Sequence, residues 1–186
     1  MNDSTSLLKR ARTGDQRALA RAYDEYAPAV YRYAYRLTGH EGTAQDVTSE
    51  AFHKLLASLR NGGGPTDNLP AWLYRVAHNL VVDGYRRQPD DPPVPLDEAP
   101  PIAVAGQQEA RLEQEERLAR ARRALRQLTS LQQQVISLRF LEELSISKTA
   151  EVMDKTEGAI KALQYRATNS LRRILEETDD QTQQHL

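Results

Sequence analysis

The chain has no cysteine. That absence excludes a disulfide framework, a thiolate nucleophile and any cysteine-ligated zinc or iron–sulfur site. Long apolar runs are also missing: none approaches the roughly 20 residues of a membrane-spanning helix. The opening MNDSTSLLKR has no apolar segment of the kind a secretory signal needs. These absences set the expectation of a soluble, cytoplasmic protein without membrane insertion. Strand signals are scarce too. Val and Ile are scattered without alternation, while Ala, Leu, Arg, Glu and Gln dominate, so the expected fold class is all-α. Hydrophobic residues are 39% of 186, a share that favours two small helical cores over one large one.

Glycine and proline are few, nine of each, but the prolines are unevenly placed. Pro89, Pro92, Pro93, Pro95, Pro100 and Pro101 all fall between Gln88 and Arg111. Proline fixes φ, removes an amide donor and blocks helix and sheet alike, so this stretch reads as a linker. The resulting division is an N-terminal unit over 1–87, a linker over 88–111, a C-terminal unit over 112–178 and a polar tail over 179–186. Neither sign of charge dominates, the net value being −1. The average hides a segregation, because the linker holds Asp90, Asp91, Asp97, Glu98 and Glu109 against Arg111 alone. The flanking units are therefore mildly basic, which permits a nucleic-acid partner.

In the N-terminal unit, Leu19, Tyr23, Tyr26, Val30, Ala34 and Leu37 recur at steps of three and four. So do Val47, Ala51 and Leu55, and then Leu73, Val76, Ala77 and Leu80, giving amphipathic helices around one shared core. Pro28 is expected to split or kink the first of these, Thr38-Gly39 and the run Gly62 to Pro65 to punctuate, and Pro70 to sit in a helix's first turn. In the C-terminal unit Leu118, Ala121, Leu125 and Leu128 mark one helix, and Thr129 with Gln132 has capping-box spacing for the next. A stop near Glu142 to Leu144 and a new cap at Ser145 follow.

A short helix from Ser145 to about Met153, a turn through Asp154, Lys155 and Thr156, and a longer helix from Glu157 match a helix-turn-helix. Ile146, Ala150 and Met153 share one face, as do Ile160, Leu163, Ala167, Leu171 and Ile174. That leaves Lys161, Gln164, Tyr165 and Arg166 free near the start of the second helix, where side chains reach base edges in a major groove. From spacing alone an amphipathic hairpin with a wet charged side is an equal reading. The stretch AWLYRVAHNLVVDGYRR places Arg75, Arg86 and Arg87 beside aromatics and Asn79. Rings can stack on unpaired bases while cations follow the backbone, and an amide can read the edge of an extruded base. Core packing is the alternative for Trp72 and Tyr74.

His53, His78, Glu50 and Asp83 are the residues from which a metal or hydrolytic site would be assembled. The spacing is poor: His78 and Asp83, five apart on one helix, point to different faces, and there is no HExxH pattern. The expectation is a protein that is not an enzyme and needs no cofactor.

Taken in order, the blocks YAPAVYRYAYRLTGHEGTAQDVTSEAFHKLLASL, AWLYRVAHNLVVDGYRR and LTSLQQQVISLRFLEELSISKTAEVMDKTEGAIKALQYRATNSLRRIL resemble the extracytoplasmic-function branch of bacterial RNA polymerase sigma factors, in the sigma-70 family. The first two look like sigma region two and the third like sigma region four. The resemblance implies a chain that binds core RNA polymerase, recognises −10 and −35 promoter elements and opens the DNA, often under restraint by an anti-sigma factor. It places the polymerase contact on Asp46, Glu50 and Phe52, with Ser49 where the family often has glutamine. It puts −10 element contacts at Asn79, Arg75, Arg86 and Arg87, with the loop from Gly62 to Leu69 as a wall for a flipped base. The −35 element contacts fall on Arg139, Lys161, Gln164, Tyr165 and Arg166. Leu163 stands where arginine is common, Gln164 where leucine is common and Lys148 where an acid is common.

The family's element names put the two DNA sites roughly 25 base pairs apart, about 85 Å of B-DNA. A 24-residue linker in extended proline-rich form reaches about 74 Å, against about 27 Å for a flexible coil, so an extended path is favoured. Its acidity suits either a nucleic-acid mimic in a basic polymerase channel or a solvated spacer. Two other classes of function remain open on the sequence: a stand-alone helix-turn-helix regulator and a helical adaptor that binds protein only.

Overall fold

Asp15 turns the chain into the helix that organises the first unit. Its carboxylate accepts from the backbone N–H groups of Arg17 and Ala18 at 2.9 and 3.2 Å, satisfying donors that a helix start leaves orphaned. The computed structural model describes residues 3–87 and 107–183, with side chains over 6–86 and 111–177. Its helices are α1 (Asp3–Arg12), α2 (Gln16–Thr38), α3 (Glu41–Arg60), α4 (Leu69–Arg87), α5 (Gln107–Arg126), α6 (Ser130–Ile136), α7 (Ile146–Met153) and α8 (Glu157–Gln183). A π-helical turn, Ser137–Leu141, follows α6 directly. There is no strand among the described residues. The all-α expectation therefore holds, while the proline-rich stretch over 88–106 lies outside the described residues. Helix α5 opens at Gln107, so the last residues read as linker are helical.

In the first unit α2, α3 and α4 pack on one another around Tyr33, Leu37, Leu55, Leu69 and Leu73, all buried. Helix α1, which the repeat pattern did not single out, adds Leu7 and Leu8 to that core. It is also tied to the loop before α4, because Arg12 donates to the carbonyls of Gly64 and Pro65 at 3.2 and 2.9 Å. The expected split at Pro28 does not occur, since α2 runs unbroken from Gln16 to Thr38. Pro28 sits on the exposed side, so the carbonyl one turn back that loses its donor is on the wet face. The helix ends where Gly39 takes φ 73°, returning its N–H to the Tyr35 carbonyl at 2.7 Å.

The second unit buries Ala124, Leu125 and Leu128 with Val135, Ile136 and Leu138, and against them Ile160, Leu163, Ala167 and Ile174 of α8. Leu118, expected on the buried face of α5, is 47% exposed, because α5 joins this core only in its last turns. Thr129 and Gln132 form the reciprocal capping box the spacing predicts. After the π turn, the Glu142 N–H returns to the Ser137 carbonyl at 3.0 Å and Glu143 takes φ 53°, which stops the helix where expected. The two units also touch, α7 lying on α4 and the π turn on α2.

Candidate nucleic-acid interface

The Ser145 side chain accepts from the Lys148 N–H at 3.2 Å and so starts α7. Nine residues later Asp154 ends it in the left-handed region, φ 54° and ψ 54°, with the Lys155 N–H on the Ala150 carbonyl at 3.0 Å. Two residues on, the Thr156 hydroxyl accepts from the Ala159 N–H at 3.2 Å and opens α8. A reversal this short holds α8 against α7 through Ala150, Val152 and Met153 on one side and Ile160 and Leu163 on the other, all buried. That is the helix-turn-helix the sequence predicts.

Its outward face carries the expected cations. Lys161 and Tyr165 lie one turn apart on an exposed stripe, with Arg166 on its flank. Tyr165 is 71% exposed, more than ring burial alone would leave it. Gln164 is half-buried and accepts from Arg139 Nε at 3.0 Å, while the same guanidinium donates to the Leu144 carbonyl. Arg139, expected at the −35 element, here braces the end of the π turn against α8. The exchange at Leu163 and Gln164 has a local reason: Leu163 faces the core at 8% exposure and Gln164 meets Arg139.

On α4, Arg75, Asn79 and Arg86 are exposed and fall within about 40° of one another around the helix, a single stripe. Asp83 is exposed at the stripe's edge. The backbone of Arg87 ends α4, and its side chain lies outside the described residues. Asn68 starts the helix by accepting from the Ala71 N–H at 3.0 Å, and Pro70 falls in the first turn as expected. Trp72 and Tyr74 are half-buried. The loop over 64–68 and the start of α4 form one wall of a cleft of about 830 Å³, and Leu144, Lys148, Glu151 and Asp154 form the other.

To one side of the stripe, His78 is buried between the units. Its Nδ1 is 3.0 Å from the Tyr33 hydroxyl and its Nε2 3.0 Å from the Ser130 carbonyl. A carbonyl only accepts, so Nε2 carries the proton and Nδ1 accepts from Tyr33. Burial lowers the His78 pKa to about 4, against a smaller opposing effect of the Ser130 bond, and burial also pushes Tyr33 well above its ordinary value. His53 lies apart on α3, beside Glu50 at 3.7 Å, so the histidines do not converge. No group of three or more potential metal ligands gathers among the described residues.

The expected polymerase contacts divide. Asp46 and Glu50 are exposed one turn apart on α3, and Glu50 also reaches Lys54 at 3.4 Å. Phe52 is 7% exposed, its ring edge-on to Tyr23 at 4.8 Å, so it supports the α2–α3 surface from beneath rather than standing on it. Tyr23, Pro28, Tyr31 and Arg32 of α2, with Gln45 and Ser49 of α3, border an open groove there. The helical repeat includes Tyr23 but does not single out the other α2 residues of this groove.

A helix-turn-helix with a free cationic face, joined to a second helical unit with its own Arg-Asn-Arg stripe, defines a two-part DNA-binding protein. Residues 22–89 match Sigma-70 region 2 and residues 124–173 match Sigma-70 region 4. The chain is 30% identical over 169 residues to the ECF RNA polymerase sigma factor SigL of Mycobacterium tuberculosis, covering 86% of this chain and 90% of that one. It is 39% identical over 173 residues to the ECF sigma factor BldN of Streptomyces coelicolor, covering 91% of this chain but 64% of the longer BldN. Among solved structures, CnrH in complex with the cytosolic domain of CnrY matches at 25% identity and TM-score 0.64, over 93% of this chain and 97% of CnrH. The chain belongs to the ECF RNA polymerase sigma factors of the sigma-70 family.

Proposed function

We propose that the chain is a group 4 sigma factor that binds core RNA polymerase in the cytoplasm, selects promoters and promotes their opening, performing no chemistry of its own. The observation that carries this reading is the presence, in order, of both sigma regions on one helical chain. In it, residues 1–87 take core polymerase through Asp46, Glu50 and the groove braced by Phe52, and read the −10 element with Asn79, Arg75, Arg86 and Arg87. Residues 112–178 read the −35 element with Lys161, Tyr165 and Arg166, while Arg139 and Gln164 fix the recognition helix from behind. The linker over 88–111 spans the two. An anti-sigma partner is part of the reading, supported by the relative CnrH having been solved as a complex with a cytosolic domain.

Co-purification with core polymerase tests it. A sigma factor is retained by core and binds duplex DNA weakly alone. A stand-alone helix-turn-helix regulator would bind duplex tightly and pass core by, and that outcome would reject the assignment.

A further inference from the structure

Helix α1 lies before residues 22–89, the stretch that matches sigma region 2, yet it is built into that unit through the buried Leu7, Leu8 and Ala11. The corner that follows it is tightly bonded. The N–H groups of Thr13 and Asp15 both return to the Arg10 carbonyl, at 3.1 and 3.2 Å, and the Thr13 hydroxyl donates to it at 2.8 Å. Arg10 Nε and Nη2 lie 2.9 and 2.8 Å from Asp15 Oδ2, on the carboxylate whose other oxygen caps α2. The backbone of Arg12 is thus fixed on both sides, by buried leucines before it and a capped helix after it.

From this corner Arg12 reaches 52 residues along the chain. Its side chain is half-buried, and Nη2 donates to the Gly64 carbonyl at 3.2 Å and to the Pro65 carbonyl at 2.9 Å. A guanidinium bonded to two successive carbonyls sets the orientation of two adjacent peptide units as well as their distance. The loop between α3 and α4 has need of such a hold. Its own backbone bonds fall at its start, the Gly62 N–H on the Leu59 carbonyl at 3.1 Å and the Gly63 N–H on the Ser58 carbonyl at 2.8 Å. Gly62 and Gly64 stand at φ 75° and 83°, residues whose backbone is the least restricted. Past the held carbonyls come Thr66 and Asp67, both exposed, and then α4 from Leu69. Along α4, Arg75 and Asn79 follow about 9 and 15 Å from its first residue. The placement of Thr66 and Asp67 against that stripe therefore has two anchors: α4 on one side and Arg12 on the other.

Resting on the promoter reading, we infer that Arg12 is a positioning residue for −10 recognition: it holds the loop over 64–67 where Thr66 and Asp67 meet one base of the separated strand lying on the Arg75–Asn79 stripe. Arg12 touches no DNA, and its effect passes through the two carbonyls. A brace that served stability alone would leave base choice unchanged.

Arg12→Met keeps an unbranched stem and removes the donors, whereas Arg12→Lys keeps a cationic donor. In the free chain, Arg12→Met should lower the NMR order parameters of the Gly64, Thr66 and Asp67 amides from about 0.85 to below about 0.6, with those of α2 and α3 unchanged. Unchanged loop order would overturn the hold without reference to transcription. Holoenzyme assembled with purified core polymerase is then offered forked DNA with a fixed duplex and a single strand randomised over the −10 element, and the retained strands are sequenced. Arg12→Met should lower the preference at one position by about tenfold and leave the other positions as in the parent, and Arg12→Lys should recover most of the loss. Equal weakening at every position, or unchanged preference with a loosened loop, would refute the positioning role. A parent holoenzyme that selects no sequence would overturn the promoter reading, and this inference with it, before any variant is compared.

Discussion

His78 shows what a single side chain records here. Its neutral form is held between the Tyr33 hydroxyl and the Ser130 carbonyl, with a pKa lowered to about 4 by burial. Unfolded, the ring titrates near 6.5. Below that value the unfolded chain binds a proton that the folded chain refuses, so stability is full above about pH 6.5 and falls as pH drops towards 4, by up to about 3 kcal/mol. Urea midpoints at pH 7.5 and 5.5 should show this loss in the parent and a smaller one in His78→Gln, which keeps polar atoms without the titration; identical losses would contradict it. Tyr33→Phe leaves Nδ1 buried without a donor and should cost about 1–3 kcal/mol at pH 7.5 in the same assay. Phe52→Ala should cost about 3–5 kcal/mol, since the ring is in the core; a change confined to polymerase affinity would show that the ring acts at the surface instead. The sequence pattern places His78 on a helix, but its partners lie 45 and 52 residues away, beyond the reach of any local pattern.

At the scale of elements, caps were the most legible feature. Thr129 with Gln132, Ser145 and Thr38-Gly39 all stand where local chemistry predicts, because a cap is decided by residues within one turn of each other. Thr129→Ala should therefore lower thermal stability by about 1 kcal/mol, because the Gln132 N–H loses the Thr129 hydroxyl while the Thr129 N–H keeps its bond to the Gln132 side chain, and leave the helix-turn-helix intact. The π turn over Ser137–Leu141 was not legible, since its extra residue per turn satisfies the same apolar pattern as an α-helix would. Pro28 misled for a related reason: a proline ends a helix only if packing on both sides does not hold it, and buried Ala27 and Val30 do. On α8 the exposed side was legible for Lys161, Tyr165 and Arg166 but not for Gln164, which is half-buried against Arg139. Changing both Lys161 and Arg166 to Ala should weaken duplex binding at the upstream element, and Asn79→Ala should impair opening more than docking. Permanganate footprints and band shifts would separate the two, and unchanged behaviour of both variants would remove those residues from the site.

Across the whole molecule, the division into two helical units was evident from where prolines and acids gather, but their packing on each other was not. Arg36 and Tyr74 are 106 and 68 residues from Glu142, and no periodicity links positions so distant. Such contacts are individually modest, and several together hold the two units against each other. The most direct measurement of the central claim is run-off transcription with purified core polymerase on a library of candidate promoters. Adding the chain should produce transcripts from defined start sites that core alone does not make. An unchanged transcript pattern would contradict its role as a promoter-selecting subunit.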